Sequence, residues 1–214
     1  MGYLTGLLSD VIQYFFSLTG NYGWAIIILT VILRILIAPA QHMQIASTRR
    51  TKEIEPLRKE IEKRYKGDPR RIQEETMRLY RSHKINPFAG CLPLLIQIPI
   101  IWAFFGALRS LEYVGVPAFL WVADLSKPDP WILPVLAGVT TFLQSKLTLP
   151  APTDGDTTSQ TMLYLMPLLI IWMSRSFAAG ISLYWVASNI FAILQQLVYP
   201  AGKSRDRKPK EAVS

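Results

Sequence analysis

Apolar residues in this chain arrive in long blocks with polar stretches between them, and the block at residues 23–41, GWAIIILTVILRILIAPAQ, sets the frame for the rest. About 20 mostly apolar residues are what a helix needs to cross a bilayer core, so the block reads as a membrane span. It carries a single charge, Arg34. An arginine inside such a segment costs about 2.5–3.5 kcal/mol on insertion scales. Thr30, Arg34 and Gln41 recur at i, i+4 and i+11, which puts them on one helix face while Ile, Leu, Val and Ala cover the others. Two readings of Arg34 follow. It snorkels along its stem to the headgroups, or it faces a polar cavity opening at the Gln41 end. Two helical turns separate it from that end and Thr30 extends the polar stripe deeper, which favours the cavity.

The same pattern predicts an all-α, polytopic membrane protein with five transmembrane helices. Residues 1–20 place Leu4, Leu7, Leu8, Val11, Ile12, Phe15 and Phe16 at helical spacing, an amphipathic helix lying in the extracellular interface. It lacks a basic first region and a cleavage site, so it does not read as a signal peptide. Residues 21–41 form the first span, and 42–85 a helical hairpin in water with stripes at Ile54, Leu57, Ile61, Tyr65 and at Ile72, Leu79, Tyr80. Gly67-Asp68-Pro69 supplies its stop, cap and first-turn proline. Pairs at i, i+4 are expected at Glu55–Lys59, Glu60–Arg64, Glu62–Lys66 and Glu74–Arg78. The second span, 86–108, holds Pro93, Pro99 and one strongly polar residue, Gln97. A loop rich in aromatic residues and proline covers 109–130, the third span 131–149, and a polar turn 150–159. The fourth span, 160–176, has Pro167 and three methionines, which read as packing or adaptable lining. The fifth, 180–200, carries Trp185, Ser188, Asn189 and Gln196 at i, i+3, i+4 and i+11, a second polar stripe. Residues 201–214 are a basic tail.

Composition agrees, since half of the 214 residues are hydrophobic and the mean hydropathy is +0.25. The net charge of +8 is distributed by loop and therefore fixes orientation. Hairpin, tail and Lys146 hold 19 basic residues on one side, against Arg109, Lys127 and Arg175 on the other. Hairpin and C-terminus are therefore expected in the cytoplasm and the N-terminus outside. Acidic residues interleave the hairpin's basic ones, so a spacer or protein-docking surface is expected there, not direct nucleic-acid recognition. Cys91 is the one cysteine, and His42 and His83 adjoin basic sequence, so no disulfide, metal site or cofactor is expected. Without a phosphate-binding glycine loop or paired carboxylates in a span, the chain does not read as an enzyme.

NPFAGCLPLLIQIP, together with GWAIIILTVILR before the hairpin and LYWVASNIFAILQQ near the end, resembles the YidC family of membrane protein insertases. The resemblance runs from the first span to the fifth in the same order. It implies a bacterial cell-membrane insertase and folding chaperone with a hydrophilic groove in the cytoplasmic leaflet, closed on the outer side. It places the groove arginine on Arg34, polar neighbours on Thr30, Gln97 and Trp185, and a substrate-facing position on Ile101, where some relatives have an aromatic residue. Ser188 and Asn189 join the site from the polar stripe. The implied partners are nascent membrane proteins and the lipid bilayer, with the ribosome and the Sec translocon as further candidates. The large periplasmic domain, the lipoprotein signal and the long ribosome-holding tail of some relatives are not expected here. The alternative reading is a small anion transporter or channel, which the lack of an evident internal repeat disfavours.

Overall fold

Asn21 starts the first long helix by accepting from the backbone N–H groups of Gly23 (2.8 Å) and Trp24 (3.4 Å), just after Gly20 reverses the chain at φ +67°. In the computed structural model, which describes residues 2–83, 85, 92–148 and 161–198, this capped helix follows α1 (Gly2–Thr19) and runs unbroken as α2 (Tyr22–Glu53). The helix does not stop at the expected edge of the span. Pro39 removes one N–H from the ladder, yet α2 continues past Gln41 into the basic segment. Two short helices follow, α3 (Glu55–Arg64) and α4 (Pro69–Ser82), joined through Gly67 at φ +97° and capped by Asp68, whose carboxylate accepts from Arg71 N at 3.1 Å. Glu55 pairs with Lys59 at 3.2 Å as the spacing predicts. Glu62 bonds Arg58 (3.1 Å) and Arg78 takes Glu75 (2.8 Å), because neighbouring surface pairs differ by only tenths of a kcal/mol.

The remaining described elements are α5 (Leu92–Ser110), α6 (Ile132–Thr148), a π-helical turn at Thr161–Leu165 leading into α7 (Met166–Ser174), and α8 (Ala179–Val198). The wide turn precedes Pro167, which has no N–H to return to the preceding turn, and accommodates it without ending the helix. Cys91, the turn at 150–159 and the tail at 201–214 lie outside the described residues. The apolar part of α2 and the whole of α8 are each long and apolar enough to cross a membrane; α6 and Leu163–Ser174 are shorter apolar helices. The described residues form helices and no strand, apart from a lone bridge between Phe119 and Val122.

Packing is concentrated at one end of the bundle. Tyr22, Ala25, Ile26 and Leu29 from the start of α2 meet Phe104, Ala107 and Leu108 from the end of α5, with Leu133 and Ala137 from the start of α6 and Ala179 and Ile181 from the start of α8. Leu8 and Ile12 of α1 close this cluster, while Leu4 and Leu7, expected on the same face, stay exposed. Gly106 lets α1 approach: a Cβ there would lie 2.8 Å from the Thr5 methyl. The loop between α5 and α6 seals the end. Asn21 donates to Ala118 O (3.0 Å), the Tyr22 hydroxyl accepts from Val114 N (3.0 Å), and Leu125 is fully buried. The carbonyls of Lys127 and Leu125 accept from Ala179 N (2.8 Å) and Gly180 N (2.9 Å), satisfying the amides that open α8. Outward faces carry Ile35 and Leu36, Trp102, Val139 and Leu143, Leu168 and Trp172, and Leu194, all exposed. Apolar surface on that scale belongs against lipid.

Candidate functional site

Beyond the packed end, further along α2 and α8 and back along α5, polar residues join the buried ones. Arg34, Ser188, Asn189 and Gln195 are all buried there. Arg34 is only 9 % exposed, and among the described residues no carboxylate pairs with it. A buried charge without a counter-ion costs several kcal/mol unless dipoles or water compensate it. Tyr184, one turn before Ser188 on α8, is buried as well. Tyr184 also accepts from Gln97 Nε2 at 2.7 Å, tying α5 to α8. Gln97 of the expected site thus meets α8 one turn from Ser188, and Arg34 is buried on α2, which packs against α8. The Ser188 hydroxyl is buried without an aligned hydrogen bond, although it lies within electrostatic reach of the Tyr184 phenol.

Thr30, Trp185 and Asn189 have other attachments. Thr30 is fully buried and its hydroxyl donates to Ile26 O at 2.7 Å, a bond within its own helix. Trp185 Nε1 donates to Thr141 Oγ1 at 3.0 Å. The Asn189 carboxamide lies against Thr140 Oγ1 (3.1 Å) and Thr141 Oγ1 (2.9 Å), and turning its nitrogen toward Gln144 Oε1 (2.7 Å) leaves its oxygen to accept from both threonines. Gln196 Nε2 donates to Thr148 Oγ1 at 2.7 Å. These bonds form a polar ladder between α6 and α8. Ile101 is half-buried against the hydrophobic core. Thr141, Gln144 and Thr148 are legible in the sequence as a polar cluster toward the end of the third span, whereas Tyr184 and Thr140 escape sequence reasoning. Tyr184 sits in the apolar run ISLYWV, where a tyrosine reads as packing, and Thr140 follows AGV; the second stripe on α8 is the signal that a polar partner face must exist. No group of three or more His, Cys, Asp or Glu that could hold a metal ion occurs among the described residues.

Residues 14–206 match the family described as 60Kd inner membrane protein. The chain is 40% identical over 193 residues to a membrane protein insertase YidC of Caldanaerobacter subterraneus, covering 90% of this chain and 91% of that one. A YidC of Fusobacterium nucleatum is 37% identical over 201 residues, with 92% and 96% covered. The YidC of Wolinella succinogenes is 40% identical over 189 residues, which are 87% of this chain but 35% of that longer protein. Among solved structures, a crystal structure of an active YidC insertase with its first transmembrane domain resolved superposes with a TM-score of 0.72 at 28% identity, covering 94% of this chain and 46% of that one.

Proposed function

This chain belongs to the 60Kd inner membrane protein family, that of the YidC insertases, and from that premise we propose that it inserts integral membrane proteins into the lipid bilayer and helps them fold. Five crossings are made by the apolar part of α2, by α5, α6, α7 with its π turn, and α8. The α3–α4 hairpin and the tail lie in the cytoplasm, and the N-terminus with α1 lies outside. The observation that carries this reading is Arg34, buried beyond the packed end with no carboxylate partner among the described residues. A polar hollow at that level, open to the cytoplasm and sealed outside by the loop at 111–131, shortens the apolar path that a hydrophilic segment must travel.

In this mechanism Arg34 attracts acidic residues in the translocated tail of the incoming chain while its hydrophobic segment slides along the lipid-facing helices. At an effective dielectric of about 20 the attraction at contact is roughly 4 kcal/mol, enough to recruit and weak enough to release. Burial of the substrate's apolar segment in lipid then draws it away. The step is a partition between environments. The α3–α4 hairpin is the surface offered to the ribosome and the Sec translocon, the two further candidate partners. Reconstituted with single-span substrates, Arg34→Ala is expected to lower insertion of a substrate with an acidic tail by about tenfold, whereas Arg34→Lys keeps the charge and most of the activity. Full insertion by the Ala variant would remove the charge step.

A further inference from the structure

The loop between α5 and α6 contains eleven consecutive residues without a charge, YVGVPAFLWVA at 113–123, and a tight hairpin near their end. Phe119 and Val122 exchange both backbone hydrogen bonds at 2.8 Å across two central residues, Leu120 and Trp121. Leu120 has φ +52°, the one positive φ outside glycine among the described residues. A two-residue hairpin turn with positive φ at its first central position ordinarily takes glycine there. Here it takes a leucine whose side chain points away from the core, 72 % exposed, with Trp121 exposed beside it.

The base of this hairpin is fixed. Phe119 and Val122 are buried, and Phe119 lies so close over Gly23 of α2 that a Cβ there would overlap its ring. Leu125 N donates to Pro117 O at 2.8 Å, and Asp129 takes the Trp121 indole N–H. A rigid stalk therefore holds an apolar tip outward in a backbone conformation that leucine avoids, and such strain persists where the surroundings impose it for a use. The neighbours indicate what covers the tip. Trp24, in edge contact with Phe119 at 5.6 Å, is exposed, and so is Trp131, over whose ring the Arg175 guanidinium lies at 4.2 Å. Exposed indoles at one end of a bundle, with a cation laid on one of them, have the composition of the boundary between lipid chains and phosphates. The only side-chain donor at the tip is already used within the loop. The tip offers area and no specific contact, which suits a fluid lipid surface and not a protein groove.

We propose that the Leu120–Trp121 hairpin is an anchor seated in the outer leaflet, where lipid covers its two side chains and fixes the depth at which the closed end of the bundle sits. This rests on the orientation given with the insertase reading above.

The test uses the full chain with Cys91→Ser and a nitroxide at Leu120→Cys or, for reference, at Ser82→Cys, in vesicles of phosphatidylcholine and phosphatidylglycerol. It reads collisions of the label with oxygen, which dissolves in lipid, and with a nickel chelate supplied in the water on both faces. The oxygen-to-nickel ratio at 120 is expected to exceed that at 82 by about tenfold, the partition that burial of an apolar side chain of this size sustains. Equal ratios place the tip in water and overturn the anchor. A label shielded from both probes is packed against protein, this chain or a second copy, and overturns it too. Neither result touches the insertase reading, which Arg34→Ala tests by itself in the same vesicles. If impermeant thiol labelling reaches Val116 and Ser82 from one face only, the orientation falls and the anchor with it. Should the labelled chain not accumulate, the unlabelled one answers: the tryptophan emission lost in Trp121→Phe must be the part that brominated phosphatidylcholine quenches and iodide spares, and quenching of that part by iodide is equally fatal.

Discussion

Asp129 shows how much one side chain can organise. Its carboxylate, 6 % exposed by residue, accepts from Trp131 N and Ile132 N at 2.9 Å each, which caps α6, and from Trp121 Nε1 at 3.2 Å, which folds the outer loop onto that cap. Asp129→Ala leaves these donors unmet and is expected to cost about 1–3 kcal/mol, measured as a lowered thermal midpoint in nanodiscs. Tyr113, in the same loop, donates to Leu108 O at 3.1 Å; burial first, then Tyr22 and Asp124, push its phenol up to about 12. The folded chain therefore holds this proton more tightly than the unfolded one, whose tyrosine titrates near 10. Stability should fall as pH rises from about 10 toward 12, and Tyr113→Phe should flatten that alkaline limb in denaturation curves taken at successive pH values. Single residues were unevenly legible in the chain. Arg34, Gln97 and Asn189 stand out because polar groups are rare in apolar blocks; all three are buried or half-buried, Gln97 and Asn189 with hydrogen-bond partners on a facing helix. Tyr184 does not stand out, since its apolar ring hides the one atom that matters.

Between elements, the ladder from α6 to α8 replaces the hydrophobic driving force that helices lack in lipid. Hydrogen bonds of this kind are worth about 0.6 kcal/mol each in membranes, up to roughly 1.7. Asn189→Ala and Thr141→Val should each loosen the pair by about that much, and the double variant should lose less than the sum, because they share bonds. On another face of α6, Gly138 admits Ile171 of α7 so closely that an added Cβ would overlap its side chain. Gly138→Val is expected to destabilise by about 1–3 kcal/mol, seen in the same thermal assay. Hydropathy made the helical blocks readable, together with the Gly67-Asp68-Pro69 turn. The run of α2 through Pro39 was not readable, because a proline and a change of composition look like an end while costing the ladder only one bond. The π turn before Pro167 is likewise invisible to a periodicity of 3.6.

At the level of the whole molecule, the dense core and loop lie at one end and the basic hairpin at the other, a polarity that supports the proposed orientation. Single cysteines at Val116 and Ser82, with Cys91 replaced by Ser, should label with an impermeant thiol reagent from opposite faces of the membrane; labelling from one face would refute the five-crossing topology. The loop carbonyls that close the first turn of α8 bear on something else, the order in which this protein itself is assembled. Helix α8 is synthesised after this loop and finds the partners of its leading amides on it. In the proposed orientation biogenesis accordingly has a direction: the loop crosses first, and α8 then docks onto it. Chains arrested before residue 179 should leave that loop open to protease, and completion of α8 should protect it.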